Sequence, residues 1–204
     1  MKLAERYAGK TVLAVGAHGD DVELAVGGTM AKLRRAGARV VMVVVSLPGD
    51  YALRQREAQR AAEILGCELR VLMPDGAKRV EDLKSYELVA LLDREVRELE
   101  PAALLTHGAG EIHRDHRMVH EAALATQRLR YFDFFCYHPN FCRPVPVPFH
   151  PRAYVDITET IDTGSSSSEG FRNAAARRTS RSGSAIGGRR FVPAALLDLR
   201  TIRR

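Results

Sequence analysis

Over its first two-thirds the chain alternates strand-like apolar runs with helical patterns, and few folds accommodate that order. Thr11–Ala17 (TVLAVGA) reads as a buried strand, and Val22–Ala36 as a helix opened by acidic residues. Arg39–Ser46 (RVVMVVVS), β-branched through most of its centre, is the clearest strand. Leu53–Gly66 follows as a helix with Leu53, Ala61, Ala62 and Leu65 at apolar positions and Gly66 as its stop. Leu69–Met73 is a short strand closed by the turn Pro74-Asp75-Gly76. Asp82–Leu99 is a long amphipathic helix, Ala102–Thr106 a strand and His116–Leu129 a further helix. This order predicts right-handed βαβ units. The fold expected is a single-domain, Rossmann-like α/β structure, its mostly parallel sheet covered by helices on both faces.

After Tyr131 the pattern changes. Tyr131–Tyr137 is aromatic and strand-like, while Pro139–Pro151 contains five prolines and predicts an extended surface loop. Ala153–Ile157 reads as a closing strand. From Thr163 to Arg190 the chain is rich in Ser, Gly and Arg without apolar periodicity, which predicts mobility or disorder, and Phe191–Leu199 recovers enough apolar content for a short helix. The chain therefore divides into a folded domain, residues 1–162, and an atypical, partly disordered Ser/Arg-rich segment, residues 163–204.

That division decides what the net charge of +6 means. Residues 163–204 carry nine Arg and no Lys against one Glu and one Asp, so the first 162 residues sum to −1. The basic character belongs to the tail, and no nucleic-acid partner is expected for the folded body. No apolar run approaches the ~20 residues needed to cross a bilayer. The first ten residues, MKLAERYAGK, lead into no long apolar core with a small-residue cleavage site, so the cytoplasm is the expected address. Cys67, Cys136 and Cys142 are too few and too irregular for a disulfide framework or a cysteine-rich zinc site, and read as reduced thiols. Self-association into a homo-oligomer stays open.

The candidate chemistry sits in two clusters. Ala17-His18-Gly19-Asp20-Asp21 lies at the carboxyl end of the first strand, and Glu111-Ile112-His113-Arg114-Asp115-His116 just after the strand ending at Thr106. In a doubly wound sheet of order 3-2-1-4-5, strands 1 and 4 are neighbours whose connections leave toward opposite faces, opening a crevice at their carboxyl ends. Such a topology brings His18 and His116 to the lips of one crevice. Imidazole and carboxylate suit a divalent metal of the zinc type, and a catalytic site of that kind uses three protein ligands and keeps a position for water. Coordination lowers the pKa of that water to about 7, and a nearby carboxylate takes its proton as it attacks a carbonyl. The developing oxyanion then calls for a hydrogen-bond donor, a task for which a protonated His is suited.

The run GAHGDDVELAVGGTMAKL, with HRDH downstream, resembles the PIG-L/LmbE-like family of zinc-dependent N-acetylglucosaminyl deacetylases. Those enzymes carry AHPDDE or AHPDDVE near the N-terminus, then GGT and a helix, then HPDH after the fourth strand. Further similarities are Arg56-Glu57, Pro74-Asp75-Gly76 and Val155-Asp156-Ile157, and the likeness extends from about Thr11 to Ile161. The resemblance implies that His18, Asp21 and His116 bind the metal, Zn2+ or another divalent ion such as Fe2+. It implies further that Asp20 is the general base and that His113 assists the tetrahedral intermediate and the leaving amine. Asp115 would orient one of the imidazoles. Arg56 and Asp75 match positions that reach toward sugar or polar substituents, with Tyr137 at the mouth; without the resemblance Arg56 reads equally as a surface helix charge, Asp75 as a turn residue and Tyr137 as a core or rim aromatic. The implied reaction is hydrolytic removal of the N-acetyl group from a small-molecule N-acetylglucosamine conjugate. Gly19 stands where Pro is commonest and Val22 where Glu is frequent; neither change deletes a ligand. The tail GSSSSEGFRNAAARRTSRSGSAIGG departs further, because relatives continue there with an ordered, packed segment.

Plainer readings compete with these. An Asp-Asp pair after a strand often only caps a helix. His107, His120, His138 and His150 read as surface or hydrogen-bonded residues, and His120, four residues after His116, as a structural neighbour rather than a fourth ligand. Gly27-Gly28 lacks the Gly-x-Gly-x-x-Gly setting of a dinucleotide site, so no nucleotide cofactor is expected and the pair reads as close packing of the first helix on the sheet. Two other functions remain: a catalytically weak binding protein using its Arg-rich tail, and a metal-dependent amidase acting on a non-sugar amide.

Overall fold

The computed structural model describes residues 4–74, 79–138, 150–167 and 196–199. Five strands, β1 (Thr11–Gly16), β2 (Arg39–Ser46), β3 (Glu68–Met73), β4 (Ala103–His107) and β5 (Asp133–Tyr137), alternate with four helices. The helices are α1 (Asp21–Arg35), α2 (Tyr51–Leu65), α3 (Ser85–Leu99) and α4 (Arg114–Ala125). Strand order is β3-β2-β1-β4-β5, every pair parallel, and β7 (Leu196–Leu199) then runs antiparallel to both β5 and β6 (Ala153–Tyr154). The expected α/β sheet, with helices on both faces and strands 1 and 4 side by side, is therefore what forms.

Side-chain alternation along the strands explains the two layers. Val12 and Ala14 of β1, with Val40, Met42 and Val44 of β2, pack against Val22, Val26, Met30 and Leu33 of α1 and Leu65 of α2. Their neighbours Leu13, Val15, Val41 and Val43 pack against Leu88, Leu92 and Val96 of α3 and Val119 and Ala123 of α4. A strand buried on both faces needs apolar side chains at consecutive positions, which is what RVVMVVVS supplies. Helices α1 and α2 thus cover one face and α3 and α4 the other. The crossover direction changes between β1 and β4, and the crevice opens there.

Local signals set the element ends. Asp50 accepts from the Leu53 amide (3.1 Å) at the start of α2, and Gly66 ends that helix in the left-handed conformation (φ 66°). Residues Val80–Asp82 form a separate 3-10 turn, so α3 begins at Ser85 rather than at Asp82. No helix among the described residues is long and apolar enough to cross a membrane.

Three expectations are corrected. Leu196–Leu199 is strand, not helix, because the register with β5 and β6 satisfies its backbone groups. Thr163–Ser167 belongs to a helix, α5 (Ile161–Ser167), that packs on α1. Gly27 and Gly28 face α5 and the segment before it rather than the sheet. A Cβ on Gly164 would lie 2.6 Å from the Gly28 nitrogen, and one on Gly28 would lie 2.8 Å from Ile157 Cδ1. The proline-rich stretch 139–149, Cys142 and residues 168–195 lie outside the described residues.

Candidate active site

The chain leaves β1 through His18, Gly19 and Asp20 and enters α1 at Asp21. Asp20 adopts φ 124°, a backbone conformation that L-residues rarely hold and that costs about 1–3 kcal/mol. Although Asp20 occupies the N-cap of α1, its side chain makes no capping hydrogen bond. Asp21 is turned inward instead, where its Oδ2 accepts from the His18 amide at 2.8 Å. Helix capping therefore does not account for the Asp-Asp pair.

The second loop follows β4, whose last residue is His107. Arg117 of α4 clamps it by donating to the carbonyls of Glu111 (2.7 Å) and Ile112 (2.8 Å). His113 caps α4, its Nδ1 accepting from the Asp115 amide at 3.2 Å. A neutral His113 so bonded carries its proton on Nε2.

The two loops converge. His116 Nε2 lies 3.2 Å from Asp21 Oδ1, and His18 Nδ1 lies 3.6 Å from Asp21 Oδ2. His18, Asp21 and His116 each offer a donor atom such that all three lie within 4.8 Å of one another. Ligands held 2.0–2.2 Å from a tetrahedral centre sit roughly 3.3–3.6 Å apart, so the donor types suit a divalent cation and the two separations from Asp21 are close to what one requires. On its far side His18 Nε2 lies 3.0 Å from Asp115 Oδ2, so Asp115 is set to orient that ring. Three imidazoles stack beneath the opening: His116 is 3.9 Å from His107 and 4.6 Å from His113, centroid to centroid.

Electrostatics separates the two aspartates. Burial pushes the Asp20 carboxyl up to about 7, the Asp21 charge adds to this, and Arg54 and His116 only partly offset it. Burial would raise Asp21 too, but His107 and His116 outweigh it and hold that carboxyl well below the ordinary range. At His116 burial opposes protonation, yet contacts with Asp21 and Glu111 prevail and raise it to about 9. His113 moves the other way, lowered by burial and by its His116 and His18 neighbours. That shift disfavours the protonated form.

A cavity of about 300 Å³ opens above, lined by His18, Gly19, Asp20, Leu47, Pro48, Arg54 and His113. Of the residues picked out from sequence, His18, Asp20, Asp21, His113, Asp115 and His116 come together. Arg56 does not: it is exposed on α2, and Arg54, paired with Glu57 at 3.2 Å, is the arginine that reaches the cavity. Tyr137 does not lie at a mouth, being fully buried with its hydroxyl donating to the Val15 carbonyl at 2.8 Å. Asp75 lies outside the described residues. His120 is a core residue, its Nδ1 2.8 Å from the His107 carbonyl oxygen.

Sequence reasoning missed Arg54, named Glu111 only as the start of the second cluster, and read His107 as a surface or hydrogen-bonded residue with no place in the site. His107 is fully buried, its Nε2 accepting from the Ala17 amide (3.1 Å) and lying 3.3 Å from Asp21 Oδ2. Its signal was available, since it ends a strand at the edge where the crevice opens.

A doubly wound sheet with a His/Asp cluster of metal-ligand spacing at its β1/β4 switch point defines a class of α/β protein with a candidate metal centre. The chain belongs to the PIG-L family, described as GlcNAc-PI de-N-acetylase, which matches residues 13–127 and so takes in both loops. It is 29% identical over 128 residues to the uncharacterized deacetylase YaiS of Escherichia coli (strain K12), covering 58% of this chain and 69% of that one. Among solved structures, N,N'-diacetylchitobiose deacetylase from Pyrococcus horikoshii superposes with a TM-score of 0.65 at 20% identity, over 80% of this chain and 70% of that one. GalB, the 4-carboxy-2-hydroxymuconate hydratase of Pseudomonas putida KT2440, gives 0.69 at 20% identity over 96% and 98%. At that identity the two structures speak to the fold alone, and they carry different reactions on it.

Proposed function

We propose that this protein is a divalent-metal-dependent hydrolase that removes the N-acetyl group from a small-molecule N-acetylglucosamine conjugate. The observation that carries the reading is the meeting of His18, Asp21 and His116 beside Asp20, a carboxylate that helix capping leaves uncommitted. His18, Asp21 and His116 would hold the ion, zinc or ferrous iron. Once bound, the ion supplies Lewis-acid chemistry, polarising the amide carbonyl and acidifying water.

The chain's own residues divide the remaining work. Asp20 accepts a proton from the water that attacks the carbonyl carbon. Nε2–H of His113, held toward the cavity because Nδ1 is occupied by the Asp115 amide, donates to the carbonyl oxygen as it gains charge. Asp20 returns its proton to the amine nitrogen as the C–N bond breaks, giving acetate and a free amino group. A cavity of about 300 Å³ is at the small end for ligand sites, which supports one sugar ring inside and the rest of the conjugate outside.

The test is acetate release from a panel of N-acetylglucosaminides, with added metal and with chelator. The reading expects release only with metal, reduced by about 10²–10⁴-fold in Asp20→Ala. Full activity in Asp20→Ala overturns the mechanism. Acetate released from non-sugar amides alone overturns the substrate.

A further inference from the structure

His18 and His116 are arranged alike. Each turns one ring nitrogen toward Asp21, and each turns the other toward a buried carboxylate. For His18 that partner is Asp115, 3.0 Å from Nε2. For His116 it is Glu111, whose Oε2 lies 3.6 Å from Nδ1. Glu111 is only 5% exposed, and neither its Oε1 nor His116 Nδ1 has a hydrogen-bond partner among the described residues. A buried Nδ1 left unpartnered 3.6 Å from a carboxylate oxygen is an energetic anomaly unless that carboxylate serves it.

The loop holds the carboxylate there deliberately. Arg117 ties the Glu111 and Ile112 carbonyls to α4, the helix that carries His116. Glu111 Oε1 meanwhile lies 3.7 Å from His138 Nε2. A contraction of a few tenths of an ångström brings Oε2 into hydrogen-bond range of Nδ1.

We infer that Glu111 is a positioning residue for His116: it accepts a hydrogen bond from Nδ1–H, fixes the ring tautomer and aims the Nε2 lone pair at the place where the cation binds. A carboxylate behind a metal-ligating imidazole has this effect generally, raising ligand basicity and locking ring orientation. The two outer carboxylates, Asp115 and Glu111, then act as a pair. Asp115 lies in the first turn of α4 and Glu111 in the loop just before it, yet they serve rings from distant parts of the chain. The inference rests on the metal-site reading above.

Direct titration of the metal-free protein with Zn2+ separates the two. Glu111→Ala is expected to weaken affinity by about 10–100-fold, and Glu111→Asp, which keeps a carboxylate, to recover most of the loss. The metal-free melting temperature of Glu111→Ala is expected to fall, because His116 Nδ1 is left buried without an acceptor, so affinities are compared at a temperature where both proteins are folded. Should Glu111→Ala not fold, Glu111→Gln, which keeps the volume without the charge, is expected to show the weakened affinity. Wild-type affinity in these variants overturns the role of Glu111 and leaves the metal site standing. Failure of the wild type to take up any cation overturns both.

Discussion

Asp20 and Asp21, adjacent in the chain, face different surroundings because the φ of 124° at Asp20 turns their carboxylates apart. Asp21 meets His107 and His116, while Asp20 lines the cavity near Arg54. One backbone torsion therefore makes a permanently charged ligand candidate and a carboxyl poised near 7 out of the same residue type.

That difference has a sign in the metal-free protein. Asp20 has its carboxyl raised from 3.8 to about 7, so its contribution to stability is intact below 3.8 and is lost as pH rises toward 7. Asp20→Asn cannot ionise. Measured by thermal denaturation with chelator present, its stability relative to wild type is expected to grow from pH 4 to pH 7 and to level off above. At about 1.4 kcal/mol per unit the ceiling is about 4 kcal/mol. A difference independent of pH contradicts the placement of Asp20.

Arg54 and Arg56 make a second test. Arg54→Ala is expected to lower kcat/KM about tenfold or more, because it removes a charged group from the cavity wall, whereas Arg56→Ala changes it by less than about twofold. Steady-state kinetics on an N-acetylated substrate decides between them, and equal effects contradict the assignment.

Why sequence misplaced this arginine is geometric. Two residues on a helix are about 200° apart, so Arg54 and Arg56 point almost oppositely, and a motif without a helix phase does not choose between them. Strand positions were easier, since β1 and β2 must be apolar on both faces and end where the polar clusters begin. His18, Asp21 and His116 were legible because strand order alone brings the two loops together. Tyr137 was not, since an aromatic with a polar tip suits a rim or a core equally until its partner, the Val15 carbonyl, is known. Four residues such as Leu196–Leu199 are too short for periodicity to separate strand from helix.

The contact of α1 with α5 is steric. Gly164→Ala would place a Cβ 2.6 Å from the Gly28 nitrogen, a backbone atom that cannot rotate away. Alanine favours a helix by about 1 kcal/mol over glycine. Here overpacking is expected to win, with a net loss of about 1–3 kcal/mol in urea unfolding. A stabilised variant contradicts the close approach.

Metal content after dialysis tests the centre of the account most directly. Wild type and Asp20→Ala are each expected to retain about one divalent ion per chain, and His18→Ala and His116→Ala to retain almost none. Equal metal in His116→Ala and wild type would show that the two loops do not share an ion, and the proposed centre would be wrong.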